Sequence, residues 1–149
     1  MLIRYQELPS YFSRETDNQY LAAVNQINAN REANTQPFID EYLDPAKRWE
    51  KNEFYNSYKT LNKALYETNE SKVAEHINKM SYSDFLRTKY WSAVANQCKK
   101  RANYRCQLCN KKENLRAHHR NYNCHGNEAK QIHELICLCS DCHTKFHNK

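Results

Sequence analysis

Glycine occurs once in this 149-residue chain, at Gly126, and proline three times. With so few breakers there is no glycine- or proline-rich linker, no low-complexity segment and no internal repeat. No apolar run reaches the roughly 18 residues a transmembrane helix needs, so a membrane span is not expected. The first stretch, MLIRYQELPSYFSRETD, lacks the apolar centre of a secretory signal, so the expected location is the cytoplasm. Apolar residues make up 40% and mean hydropathy is −1.06. That suits one ordinary domain, or a small domain with an extension, with a core of limited size.

Acidic residues are scarce at one end. Residues 1–95 carry 12 Lys+Arg against 13 Asp+Glu, whereas residues 96–149 carry 11 against 4. A basic C-terminal third suggests a polyanionic partner, most simply nucleic acid. The seven cysteines are an odd number, and six of the seven histidines share the same third. Their spacing suggests metal binding rather than a disulfide framework.

Residues 1–80 read as helical and carry no chemical motif. Thr16 or Asp17 is the expected cap of a helix over residues 18–34, with Tyr20, Leu21, Val24 and Ile27 at helical spacing. A break is expected at Thr35-Gln36-Pro37. Asp44-Pro45 reads as a cap followed by proline at the first helical position, opening a long helix to residue 68. Phe54, Tyr58, Leu61 and Leu65 form its stripe. Ser71 is the expected cap of a short helix over 72–79. Ser81 or Ser83 opens a further helix ending near Asn103, with Phe85, Trp91, Val94 and Cys98 on its buried side.

Cys106-Gln-Leu-Cys109 and Cys139-Ser-Asp-Cys142 are two CxxC pairs, separated by the segment 110–138. Each pair presents two thiolates, and two pairs make the tetrahedral four-cysteine site of structural zinc. In a segment with few large apolar groups the metal supplies much of the folding energy. Cys98, Cys124 and Cys137 are left over and read as small buried hydrophobes. His143 and His147 lie four apart in a helical tail, on one face. The zinc clamp folds the intervening hairpin back and carries His118 towards them, which gives a second, imidazole-rich metal site open to water. His119 points to the other face of its strand and is free to act as general base. His125 and His133 read as surface or packing residues.

Residues 118–147, HHRNYNCHGNEAKQIHELICLCSDCHTKFH, resemble an HNH endonuclease of the ββα-metal type. The likeness rests on the double histidine, Tyr122, Gly126, Glu128, Leu135, Leu138, the CxxCH and the last histidine. With the lead-in FLRTKYWSAVANQCKKRANYRCQLC it covers residues 82–149. It implies an α+β fold, with a helical region over 1–80 followed by a zinc-stapled ββα-metal module over 81–149. It also implies a metal-dependent DNA endonuclease or nicking enzyme, acting on double-stranded DNA and leaving a 5′ phosphate. His118, His143 and His147 resemble the ligands of the catalytic ion, and His119 resembles the base that activates water. The ion binds the scissile phosphate and stabilises the leaving oxygen.

Two departures stand out. His118 occupies a place where many members carry aspartate, and an all-imidazole set suits Zn or Ni better than Mg, with Mg and Mn also expected to give some activity. The family's middle asparagine, which braces the hairpin, falls near Glu134. Glu128 is the candidate outer group that orients a histidine or the hairpin. Tyr122 reads as packing. Lys99, Lys100, Arg101, Arg105, Arg116, Arg120 and Lys145 are candidate phosphate contacts, which position DNA without reading its sequence. The N-terminal helices are expected to bind DNA, a protein partner or a second copy. Two alternatives stand beside this reading. One is a non-catalytic zinc-dependent nucleic-acid-binding module. The other is a toxin-like nuclease with an immunity partner. A phage, a mobile element or a restriction system is the expected setting.

Overall fold

The computed structural model describes residues 14–147, with side chains from Asp17 onward. These residues form seven α-helices and one antiparallel two-stranded sheet. The helices are α1 (Arg14–Tyr42), α2 (Lys51–Phe54), α3 (Ser57–Tyr66), α4 (Glu70–Lys79), α5 (Tyr82–Phe85), α6 (Lys89–Arg101) and α7 (Ser140–His147); the strands are β1 (Leu115–His119) and β2 (Leu135–Cys139). Among the described residues no helix is long and apolar enough to cross a membrane.

The N-terminal half departs from the expected element boundaries. Helix α1 already runs at Thr16 and Asp17, so neither caps it, and it continues through Pro37. Proline costs a helix one hydrogen bond and crowds the preceding turn. Here the last turns are held by tertiary packing: Phe38 is buried, with its ring 4.7 Å from that of Tyr42. Thr35 adds a link to α4, its Oγ1 donating to Arg31 O and accepting from Asn69 N. Of the expected stripe only Val24 is buried, while Tyr20 and Ile27 are exposed.

Asp44 caps a turn rather than a helix. Its Oδ1 accepts from Ala46 N at 2.9 Å, and the chain stays non-helical to Glu50. The long helix expected from there is thus the short α2 and the separate α3, which buries Leu61 and Leu65 while Phe54 stays 38% exposed. Asn69, not Ser71, caps α4. Ser81 caps α5 as expected, but the helix stops after one turn and Thr88 caps α6 afresh by accepting from Trp91 N. The side expected to be buried is buried: Phe85, Trp91, Val94 and Cys98 all lie in the core.

One apolar cluster runs across residue 80. Phe38, Leu61, Val73 and Ile77 share it with Phe85, Tyr90, Val94, Leu135 and Cys137. A second, smaller cluster holds Cys106, Ile136, Leu138 and Cys139 beneath α7. Helices α3 and α4 do a definite structural job, which is to seat the loop between the strands. Tyr58 Oη donates to Ala129 O at 2.6 Å, and Ala129 N donates to Tyr90 Oη at 3.1 Å. Gly126 has φ +96, and a Cβ there would lie 2.8 Å from Asn78 Nδ2 on α4. Only glycine meets both the conformation and the space.

Other left-handed positions are filled without glycine. Asn103, Tyr104, Asn110 and Asn114 all have positive φ. Asparagine tolerates that region better than other residues with a Cβ, and it stands in at three of the four places.

Candidate functional site

Strand β1 pairs with β2 in the register Leu115↔Cys139 to His119↔Leu135. This brings the end of the hairpin back to α7, which starts directly after β2. Gln107, inside the first CxxC, continues the sheet: its N donates to Cys137 O and its Oε1 accepts from Cys137 N. The first cysteine pair is thereby docked on the second.

Cys106, Cys109, Cys139 and Cys142 have their sulfurs within 4.8 Å of one another. Cys109 Sγ and Cys139 Sγ are 3.5 Å apart. A tetrahedral site with Zn–S of about 2.3 Å needs sulfurs about 3.8 Å apart, so the cluster could hold a metal such as zinc. The N–H groups of Cys109 and Cys142 point at the sulfurs of Cys106 and Cys139, at 3.5 Å each. Burial raises the Cys106 thiol, but N–H groups of Cys109, Cys139 and Leu108 outweigh it and hold the thiol down to about 6. Cys142 goes the other way, pushed up to about 12 by its contact with Cys139 and by burial. Packed together, the four resist ionising at once unless a cation offsets them. Cys98, Cys124 and Cys137 are buried and stand outside the cluster.

The second group is His118, His143 and His147, again with donor atoms within 4.8 Å. The rings of His118 and His147 have centroids 4.6 Å apart, and Nε2 of His143 and His147 are 3.1 Å apart. His118 is 7% exposed and backed by Phe146, whereas His147 is exposed. Burial, then the neighbouring His147 and His143, lower the His118 pKa to about 4. Burial, His147 and Arg116 lower that of His143. Both imidazoles are therefore neutral near pH 7, the form that binds metal.

This has a consequence for stability. Between about pH 6.5 and 4 the unfolded chain binds protons that folded His118 refuses, so stability falls as pH is lowered through that window. Urea unfolding of the wild type is expected to weaken more steeply from pH 6.5 to 5 than that of His118→Phe, which keeps a ring against Phe146. Equal slopes would refute this account of His118.

The trio faces a cavity of about 360 Å³ whose lining includes Lys99 and Arg116. Of the seven basic residues expected to contact phosphate, these two are the ones brought to it. Lys100 is drawn away, its Nζ donating to Tyr55 O and lying 3.9 Å from the Tyr55 ring centroid. Arg101, Arg105, Arg120 and Lys145 do not line this cavity.

His119 turns to the opposite face of β1, but it does not meet solvent there. It is 2% exposed and lies nearly parallel to Trp91 (5.2 Å, 10°) and to Tyr122 (5.3 Å, 24°). Its Nε2 is 3.2 Å from Glu128 Oε2. Glu128, fully buried, also takes His125 Nδ1 at 3.1 Å, while its Oε1 accepts from Gly126 N at 2.7 Å. The His119 tautomer that donates its Nε2–H to Glu128 is the one that leaves a lone pair on Nδ1.

His125, read from sequence as surface or packing, is a member of this third cluster. The signal that could have found it is its place three residues before Glu128, within reach across a single turn. His133 is exposed at the surface as expected. Glu134 does brace the loop: its carbonyl accepts from Arg120 N and its carboxylate from Asn121 Nδ2.

No family model, curated protein or solved structure matches this chain, and the site is read from its own geometry.

Proposed function

We propose that this chain is a metal-dependent DNA endonuclease or nicking enzyme of the HNH, ββα-metal kind. The observation that carries the reading is the convergence of His118, His143 and His147 beside a basic-rimmed cavity, one peptide bond from the four-cysteine cluster. The four cysteines serve as a structural zinc site, which fixes where α7 starts and so where His143 and His147 stand. A divalent ion held by the three imidazoles supplies Lewis acidity and neutralises charge on a phosphodiester. The donor set suits Zn or Ni, with Mn and Mg as harder alternatives.

The chain's own groups divide the remaining work. Burial keeps His118 neutral as a ligand. Lys99 and Arg116 hold phosphate by charge. His119 removes a proton from the attacking water at Nδ1, its ring oriented by Glu128. Tyr122, 57% exposed, covers the face of the His119 ring, whereas the Nδ1 lone pair lies in the ring plane. That cover is also the observation favouring a second reading, a zinc-dependent nucleic-acid-binding module in which His119 is a packed core residue.

The test is a supercoiled-plasmid assay at low salt with Mg, Mn, Ni or Zn added after mild chelation. The nuclease reading expects nicking or linearisation by the wild type and none by a folded, zinc-loaded His119→Ala. Plasmid binding without cleavage under every metal favours the module.

A further inference from the structure

We propose that the cavity beside the histidine trio seats an unpaired nucleobase of DNA, stacked on the open face of Tyr122. This rests on the nuclease reading for its place beside the cut, but its binding test does not. The argument starts from three rings in file. Trp91 is 8% exposed, His119 is 2% exposed and Tyr122 is 57% exposed, and each lies nearly parallel to the next. The file begins in the core and ends on an aromatic ring at the surface. Tyr82 stands beside Tyr122 in a T-shaped contact, with centroids 6.3 Å apart at 75°, and Tyr122 remains 57% exposed.

Tyr122 and Tyr82 line the same cavity as His118, His143 and His147, and so does Leu86. Tyr82 and Leu86 are 44% and 41% exposed. Three large side chains thus leave apolar surface open around one cavity. Lys99 and Arg116 line the same cavity. A cavity lined by both an exposed aromatic ring and two cations matches a nucleotide, which joins a flat base to an anionic phosphate. The cavity's volume of about 360 Å³ falls in the range for small-molecule sites, roughly 300–1,000 Å³.

The geometry also selects the state of the base. In a duplex both faces of every base are covered by its neighbours, and only the edges reach the grooves. A tyrosine ring cannot stack on such a base. Single strands, bulges and flipped bases offer the face that Tyr122 needs. Stacking on one aromatic side chain is worth about 5- to 150-fold in affinity.

The experiment is equilibrium binding by the full, zinc-loaded chain with no further metal added, so that no cutting intervenes. Three short labelled DNAs are compared: a single strand, a duplex with one unpaired base, and the matched duplex. The expected result is tighter binding, by about 5- to 150-fold, of at least one unpaired substrate over the matched duplex. Tyr122→Leu loses that advantage and Tyr122→Trp keeps it. Which unpaired substrate gains tells whether the source is single-stranded DNA or a distorted duplex. The proposal is overturned if the matched duplex binds as tightly as both others, or if Tyr122→Leu leaves the ratio unchanged. A chain that passes this test yet cuts no plasmid would retain the base pocket and lose the nuclease reading.

Discussion

Exchanging Cys139 for serine is expected to unfold the segment from Cys106 to the end of α7. The smaller apolar cluster there has only four buried members, and two of them, Cys106 and Cys139, are cysteines of the four-sulfur group. Besides the sulfurs, two hydrogen bonds between Gln107 and Cys137 tie the first cysteine pair to the sheet, and the exposed Lys111–Asp141 ion pair ties its loop to α7. Structural zinc in small modules contributes about 10–16 kcal/mol of apparent binding energy, whereas a whole domain is stable by only about 5–15 kcal/mol. Loss of one thiolate should therefore exceed what the segment can absorb. The helical cluster should loosen without vanishing, because Leu135 and Cys137 leave it while Leu61, Ile77 and Phe85 stay. Circular dichroism and limited proteolysis check this, with zinc content measured beside them. Strong chelation of the wild type should reproduce the change, and zinc should reverse it. A Cys139→Ser protein that melts within a few degrees of the wild type would refute a structural role for the metal.

His119→Ala is expected to lower the rate of DNA cleavage by about 10²- to 10⁴-fold, the contribution of a positioned general base. Substrate affinity should change far less, since Lys99 and Arg116 are untouched. The variant also empties space between Trp91 and Tyr122, so its zinc content and melting temperature need to be shown alongside its activity. Glu128→Gln offers a milder companion. It keeps the shape of the side chain but replaces an oxygen that accepts from both His119 and His125. A loss of about 10- to 100-fold in kcat is expected, as for other outer partners of site histidines. If both variants cut like the wild type, His119 is a core residue and the proton is removed elsewhere.

The clustering of cysteines and histidines was more legible in the sequence than the helical architecture. The two CxxC pairs and the His143–His147 spacing are local patterns, and local patterns survive folding. Their convergence on His118 follows from a hairpin closed at its base, and β1 and β2 pair in a register that closes it there. What stayed hidden depended on distant contacts. Pro37 reads as a breaker, yet the burial of Phe38 carries α1 through it. The split between α5 and α6 follows from Thr88, an ordinary residue that happens to cap. The abundance of asparagine looked neutral, but with one glycine in the chain asparagine takes most of the left-handed positions. The spacing of His125 from Glu128 was too weak a signal by itself, because the contact depends on the loop around Gly126 folding against α4, which sets His125 beside the buried Glu128. Helices α3 and α4 carry no motif because their contribution is packing: Tyr58, Ala74 and Asn78 hold the loop in place.

The most direct test of two distinct metal sites with separate duties is a metal titration of the stripped protein, read by plasmid cleavage and by bound metal together. The account predicts that the first equivalent restores the fold and leaves the plasmid intact, and that cleavage appears only as the second, weaker equivalent binds. A variant lacking His118, His143 and His147 should take up the first equivalent alone and never cut. Cleavage at one equivalent, or undiminished cleavage by the triple variant, would contradict it.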